Sequence, residues 1–136
     1  MKILVLEDNE ERIKWFKRKL EPFCDLTMFS NAELAIEKIK EEKFDVIFLD
    51  HDLGGKVYVD SNEPNTGYQV AKIIPNTINK DSYIIIHSLN PVGIQNMMNE
   101  LNGMNVIRMH FGTFDFNWID GKLKIVKRSL YGDRIR

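Results

Sequence analysis

Short apolar runs alternate along the chain with segments in which apolar residues recur every three or four positions. The runs have the length and the β-branched composition of buried strands. They cover residues 2–6, 26–29, 44–49, 83–88 and 105–111. The segments between them predict amphipathic helices that begin near residues 10, 32, 67 and 91. Strands that alternate with helices in this way predict a mostly parallel, doubly wound sheet.

Two segments interrupt this alternation. Residues 54–66 are polar and rich in turn-forming residues, and loops of about 12–15 residues inside a compact domain are usually functional or disordered. After the fifth strand, residues 114–126 alternate and contain Asp120-Gly121, which predicts a β-hairpin. We therefore expect one domain over residues 1–136, with a βα core over 1–111 and a hairpin and basic tail over 112–136.

Composition and length fit one soluble globular domain of 136 residues, with 43% hydrophobic and 29% charged residues, and exclude a disordered or coiled-coil chain. No apolar run approaches the roughly 20 residues of a membrane span. The first run ends at once in Glu7 and Asp8, unlike a signal peptide. The single cysteine, Cys24, cannot form an internal disulfide. We expect a small, reduced, cytoplasmic protein that has no membrane partner.

The net charge of −1 is unevenly distributed, because residues 122–136 carry +5 and residues 1–121 carry −6. The basic residues of this tail are Lys122, Lys124, Lys127, Arg128, Arg134 and Arg136. A basic tail on an acidic body can contact phosphates or nucleic acid. A solvated terminus without a partner is the alternative interpretation.

Polar residues cluster where the predicted strands end. In an open parallel sheet, ligands bind outside the carboxyl ends of the strands. The residues at or near these ends are Glu7, Asp8, Asp50, His51, Asp52, His87, Ser88, Asn90 and His110. Carboxylates that meet at one edge repel one another, so a cation with oxygen ligands, Mg²⁺ or Mn²⁺, is the expected remedy. Asp8 alone could simply cap the following helix.

The same residues fit phosphoester chemistry. A cation on Glu7, Asp8 and Asp50 would neutralise phosphoryl oxygens, and a histidine suits proton transfer near neutral pH. Ser88 and Asn90 are candidate hydrogen-bond donors to the phosphoryl group. Strand alternation leaves His51 and His87 open between two roles, and His110 is open because of its position near the end of the fifth strand. His51, His87 and His110 are either site residues or parts of the scaffold.

Three fragments carry a family resemblance, and they read KILVLEDN, FDVIFLDHDL and IIIHS. Over roughly residues 1–111 the chain resembles the receiver domain of bacterial response regulators. The resemblance implies a flavodoxin-like α/β fold with a five-stranded sheet in the order 2-1-3-4-5, completed here by the C-terminal hairpin. It also implies Mg²⁺ binding by Glu7, Asp8 and Asp50, phosphorylation of Asp50, and a contact of Ser88 with the phosphoryl oxygens.

The chain also departs from that family. Receivers carry a lysine followed by proline at the end of strand five, and Arg108-Met109-His110-Phe111 stands here instead. That lysine pairs with the phosphoryl group, so its replacement puts phosphorelay signalling in doubt. The hairpin stands where receivers have a fifth helix, and residues 54–66 lengthen a loop that is short in receivers.

The fragments LDHDLGG, TGYQVAKII and HSLNPVGIQNM resemble a divergent receiver branch, the cyclic-phosphate-processing receiver domain of bacteria and phages. The residues that carry this resemblance are Asp50, His51, Asp52, His87, Ser88 and Asn90. It implies action on cyclic or terminal phosphates of RNA ends or nucleotides. A cyclic phosphodiesterase that depends on Mg²⁺ or Mn²⁺, with residues 54–66 as a lid, is the corresponding hypothesis.

Two other function classes stay open. The chain could be a signalling receiver that acts through a protein partner, with or without phosphorylation of Asp50. It could also be a catalytically silent protein that binds an enzyme.

Overall fold

A computed structural model describes residues 1–127 of the chain. The strands of the main sheet are β1 (Lys2–Leu6), β2 (Asp25–Phe29), β3 (Val46–Leu49), β4 (Tyr83–Ile86) and β5 (Val106–Arg108). The helices are α1 (Glu10–Leu20), α2 (Ala32–Glu41), α3 (Gly67–Ile73) and α4 (Pro91–Glu100). All pairings in the main sheet are parallel, in the order β2-β1-β3-β4-β5. The flavodoxin-like fold predicted from the sequence is therefore confirmed.

Each face of the sheet has its own apolar core, because successive side chains of a strand point to opposite faces. Leu4 and Leu6 of β1 pack in the core shared with α2, α3 and α4. Ile3 and Val5 of the same strand pack in the second core, together with Phe16 of α1. The three central strands are buried on both sides, which explains their unbroken apolar sequence.

The hairpin consists of β6 (Phe114–Ile119) and β7 (Lys122–Lys127), which pair antiparallel as a separate two-stranded sheet. It packs beside α1 in the second core. The indole Nε1 of Trp118 donates to the carbonyl oxygen of Lys19 over 3.2 Å, and the ring of Trp118 stacks on that of Phe23. The predicted hairpin is thus confirmed.

Three strands are shorter than their apolar runs. β3 begins at Val46 instead of residue 44, because the Phe44 N–H donates to the side chain of Asn79 over 2.7 Å. β4 ends at Ile86, so His87 and Ser88 follow the strand. β5 ends at Arg108, and the chain then turns where Thr113 donates to the His110 carbonyl. His110 therefore lies beyond the strand.

The segment between β3 and α3 contains no helix or strand, apart from an isolated bridge between Asp52 and Thr66. α3 is followed by a 3₁₀ turn over Ile74–Asn76. Within residues 1–127, every helix falls short of the length and apolarity that a membrane crossing requires. Of the predicted basic tail, Arg128, Arg134 and Arg136 lie outside the described residues.

Candidate functional site

Three polar residues form a row at the carboxyl edge of the sheet. The strand register aligns Leu6, Leu49 and Ile86, so the residues that follow them in the chain are Glu7, Asp50 and His87. The ladder continues into this row, because the Asp50 N–H donates to Leu6 and the His87 N–H donates to Leu49. One ligand atom from each of the three side chains lies within 4.8 Å of the others. We call this row the cleft triad.

Glu7 is held as a carboxylate although it is only 1% exposed. Its Oε2 accepts hydrogen bonds from the N–H groups of Asp8 and Asn9, at 3.0 and 3.1 Å. Its Oε1 lies 3.1 Å from Nε2 of His87. Burial pushes the pKa of Glu7 upward, but the hydrogen bond and charge of His87 and the backbone donors outweigh burial and lower it.

Asp50 behaves in the opposite way. Burial and then the charge of the adjacent Glu7 raise the pKa of Asp50 to about 9. The neutral carboxyl of Asp50 donates a hydrogen bond to Glu7, which adds to the shift. Two buried carboxyl groups in contact with each other share one negative charge until a cation binds both.

His87 is fully buried, and its ring packs against the rings of Phe16 and Phe48, with centroids 5.2 and 6.3 Å away. Nε2 contacts Glu7, whereas Nδ1 is a buried atom that has no hydrogen-bond partner among the described residues. A buried nitrogen without a hydrogen-bond partner costs free energy.

The cleft triad borders a cleft of about 370 Å³. Its lining consists of Glu7, Asp8, Asn9, Glu10, Arg12, Asp50, Asp52, Gly55, Lys56, Val57 and Leu89. Asp8 also reaches across to the long loop, because its Oδ2 accepts the N–H of Gly55 over 2.7 Å. The cleft is thus acidic at its base and joined to residues 54–66 at its rim.

Two basic residues of this cleft, Arg12 and Lys56, were missed by the sequence analysis. The Arg12 guanidinium lies 3.6 Å from Glu7 Oε1 and 4.8 Å from the centre of the Phe111 ring. A signal for it exists in the helix pattern, because Arg12 precedes the core residue Phe16 by one helical turn. Lys56 belongs to an irregular loop, for which no periodic pattern is available.

A second group of polar residues lies in the same region but is built differently, and we call it the anchor network. It consists of His51, Asp52, Ser61 and Asn90. The imidazole of His51 is fully buried, with Nδ1 2.8 Å from Asp52 and Nε2 2.8 Å from Ser61. Both ring nitrogens are therefore occupied within the protein.

Asn90 joins the anchor network to α4 and to the long loop. Its side-chain oxygen accepts the N–H of Gly93 and so caps α4, at 2.9 Å. Its amide nitrogen donates to Asp52 and to the carbonyl of Val59, at 3.0 and 3.1 Å. Burial raises the pKa of Asp52, but hydrogen bonds from Asn90, His51 and the N–H groups of Tyr58 and Val59 outweigh burial and lower it.

The structure therefore divides the predicted site residues. Glu7, Asp50 and His87 come together, and Asp8 lies at the rim of the same cleft. The Ser88 hydroxyl is buried and accepts the N–H of Asn90 over 3.1 Å. The side chain of His110 is exposed, and its carbonyl belongs to the turn after β5.

Comparison with solved structures shows that the chain has the fold of receiver domains. One similar structure is the receiver domain of a Pseudomonas aeruginosa sensor histidine kinase with magnesium in its active-site cleft, at 20% identity and a TM-score of 0.62, covering 82% of this chain and 84% of that one. Another is a two-component response regulator from Clostridium difficile, at 23% identity and a TM-score of 0.61, covering 82% and 84%. A Burkholderia pseudomallei response regulator with a phosphorylated aspartic acid and calcium matches at 19% identity and a TM-score of 0.60. That match covers 79% of this chain and 58% of the regulator.

Among proteins with this fold, a family model identifies the family of this chain. The chain belongs to the cyclic-phosphate processing receiver domain family, whose model matches residues 2–103. A comparison with curated protein sequences found no significant match. The resemblance stated from the sequence is confirmed at the level of the family.

Proposed function

We propose that this receiver domain binds a divalent cation, Mg²⁺ or Mn²⁺, at the cleft triad and uses it to bind and process cyclic or terminal phosphates. The substrate would be a nucleotide or an RNA end. The observation that carries this proposal is the convergence of the ligand atoms of Glu7, Asp50 and His87 within 4.8 Å. Asp8 at the rim adds a fourth charged group to the same cleft.

The residues present fit a divalent cation. Two carboxyl groups, one of them held neutral by its neighbour, lie beside an imidazole. Carboxylates suit Mg²⁺ and Mn²⁺ alike. When bound, such a cation supplies charge neutralisation for phosphoryl oxygens.

The histidines differ in what they can do for the reaction. His87 touches Glu7 through Nε2 and borders the carboxyl groups, so it is the better candidate for moving a proton. Both nitrogens of His51 are committed to the anchor network, which favours a positioning role for it. Asn90 supports the long loop in the same way, and Ser88 accepts the N–H of Asn90. The exposed His110 has the weakest geometric case.

A second candidate function is a signalling receiver whose Asp50 accepts a phosphoryl group and whose surface binds a protein partner. The similarity to a response regulator that carries a phosphorylated aspartic acid favours it. Asp50 lines the cleft and is accessible from it. The two functions share the cation and differ in whether the phosphoryl group stays on the protein.

The cation is tested by thermal unfolding with and without Mg²⁺ or Mn²⁺. A ligand that binds only the folded state raises Tm, by an amount equivalent to about 2.7 kcal/mol at 100 times Kd. The wild type should show this rise and Asp50→Asn should lose it while staying folded. The control is Asp81→Asn, an exposed acid that precedes β4 at the opposite edge of the sheet, which should keep the rise. Melting curves that neither ion moves would contradict the proposal.

The two functions are separated by two assays on the full chain. Incubation with acetyl phosphate and Mg²⁺, followed by intact mass, detects a stable phosphoryl-aspartate and would support the signalling function. Hydrolysis of a 2′,3′-cyclic nucleotide with Mg²⁺, Mn²⁺ or Zn²⁺ would support the processing function. In that case Asp50→Ala should be nearly inactive. His87→Gln should be slower by about 10²–10⁴-fold, with the loss reduced for a nitrophenyl phosphodiester whose leaving group needs no proton.

A further inference from the structure

Arg12 is the most firmly placed cation of the acidic cleft. It lies in the first turn of α1, where its N–H is capped by the side chain of Asn9 over 3.1 Å. Its guanidinium lies between the Glu7 carboxylate and the face of the Phe111 ring. The side chain is 21% exposed, so it is partly desolvated and still reachable from the cleft.

The platform beneath Arg12 is itself held in place. The ring of Phe111 packs against Trp15 and Phe114, with centroids 5.0 and 6.1 Å away. A guanidinium over an aromatic face within about 6 Å gains a cation–π interaction. Because the ring and the carboxylate fix the guanidinium from two sides, little side-chain entropy remains to be lost when Arg12 binds a ligand.

The position of Phe111 gives this arrangement its meaning. A receiver carries a lysine at the end of strand five. This chain has Arg108-Met109-His110-Phe111 there. His110 of that segment is exposed. Phe111 instead holds a cation that comes from α1. A positive charge of the cleft thus comes from α1, and Phe111 supports it.

The chemistry of Arg12 matches a phosphoryl anion. A guanidinium has five N–H donors in a planar fork, and its contact with Glu7 is an ion pair through Nη1 at 3.6 Å, longer than a hydrogen bond. Forked donors of this kind bind phosphate oxygens in pairs. The acidic residues around it, Glu7, Asp8 and Asp50, would repel an anion unless a cation neutralised them.

We propose that Arg12 is the anion-binding residue of this cleft and contacts the phosphoryl oxygens of a phosphate ester bound beside the divalent cation. This inference rests on the proposed function, because it takes the phosphate ester and the cation from it. It adds the residue that selects for the phosphoryl group. The charge of Arg12 already favours the ionised form of Asp50, in keeping with its closeness to the triad.

The proposal makes two predictions of opposite sign for one substitution. Arg12→Gln removes charge-assisted hydrogen bonds to the phosphoryl group, so phosphate binding should weaken by about 10- to 100-fold. The same substitution removes a positive charge 3.6 Å from Glu7, so Mg²⁺ should bind about as tightly as before or up to about threefold tighter. A purely structural role for Arg12 would weaken both.

The experiment is isothermal titration of the full chain, first with Mg²⁺ alone and then with a 2′,3′-cyclic nucleotide and with inorganic phosphate at saturating Mg²⁺. Arg12→Lys keeps the charge and loses the fork, so its phosphate affinity should fall between those of the wild type and Arg12→Gln. Phe111→Leu keeps Arg12 but removes its platform, and should weaken phosphate binding less than Arg12→Gln does. Arg18→Gln, exposed in the last turn of the same helix, is the matched control and should change neither affinity.

The outcomes separate this inference from the proposed function. If the wild type binds neither phosphate probe, the proposed function fails and this inference falls with it. If the wild type binds a probe and Arg12→Gln binds it within twofold, only the role of Arg12 is overturned. Equal weakening of Mg²⁺ and phosphate by Arg12→Gln also overturns it, since that result is the mark of a structural residue.

Discussion

The cleft triad and the anchor network lie side by side at one edge of the sheet, yet they use their polar atoms differently. In the anchor network, both nitrogens of His51 have partners inside the protein, and the Asn90 amide is satisfied at both its oxygen and its nitrogen. In the cleft triad, Asp50 and Glu7 share a charge, and Nδ1 of His87 has no partner in the described part of the chain. The closed hydrogen bonds of the anchor network fix its structure, whereas the shared charge of Glu7 and Asp50 lies at the base of the cleft.

The two regions also divide the long loop. Its middle is fastened to the anchor network, because the N–H groups of Tyr58 and Val59 donate to Asp52 at 2.7 and 3.1 Å. Its first part faces the cleft through Gly55, Lys56 and Val57. Gly55 is itself held to the cleft by its hydrogen bond to Asp8, so a lid over residues 54–66 stays a prediction.

The largest effect is expected at Gly67, where the loop ends against both regions. A Cβ at this position would lie 1.9 Å from the carbonyl oxygen of Asp50. This carbonyl belongs to the backbone of the cleft triad and cannot move aside as a side chain could. Gly67→Ala should therefore cost about 3 kcal/mol or more in the free energy of unfolding. Urea unfolding measures it, with the exposed Lys72→Ala in the same helix as control. A loss below about 1 kcal/mol would show that the loop relaxes independently of the row.

A smaller effect should separate the two regions from each other. Asn90→Ala removes a helix cap, a hydrogen bond to Asp52 and a hydrogen bond to the loop at Val59, so it should cost about 2 kcal/mol in stability. It should nevertheless retain the rise in Tm with Mg²⁺. Asp50→Asn should lose that rise while staying folded. Asn99→Ala on the exposed side of α4 is the control. If Asn90→Ala abolishes the Mg²⁺ effect, the two regions form one functional unit.

The smallest effect concerns pH and only the cleft triad. Asp50 keeps a proton in the folded chain up to about pH 9, whereas an unfolded Asp releases it near pH 4. The free energy of unfolding without metal should therefore fall as the pH rises through this window, by less than about 1 kcal/mol per pH unit because Glu7 shares the proton. Asp50→Asn should flatten the slope between pH 6 and 9, measured by urea titration. An equal slope in both proteins would assign the pH dependence to other groups.

The stabilisation of the fold by Mg²⁺ should show the opposite dependence on pH. The cation needs ionised Asp50, so the gain in Tm from Mg²⁺ should grow as the pH rises toward 9.

The strands and the polar residues at their ends could be predicted from short-range pattern, whereas the sheet order was implied by the family resemblance. Apolar runs give the strands, and parallel strands bring their carboxyl ends to one edge. Glu7 and Asp50 could therefore be placed together before any coordinates. The strand ends were less certain, as Phe44 shows: it is buried and apolar like a strand residue, but its N–H is taken by the side chain of Asn79, 35 positions away.

The division of the site could not be predicted from pattern alone. Asp50 and His51 are neighbours in the chain but belong to different groups, since β3 ends at Leu49 and the imidazole of His51 bonds to Asp52 and Ser61. Ser61, the second partner of His51, lies in a loop with no periodicity. Arg12 escaped notice because it comes from a helix that the sequence analysis treated only as cover for the sheet.

The aromatic support of Arg12 also gives the molecule an optical probe of its own. Trp15 touches Phe111 on one side and Phe16 on the other, with ring centroids 5.0 and 5.3 Å away. Those two neighbours contact Arg12 and His87 respectively. The second indole, Trp118, stacks on Phe23 and belongs to the hairpin. A ligand in the cleft should therefore change the emission of Trp15 through this layer of rings, whereas Trp118 packs in the hairpin.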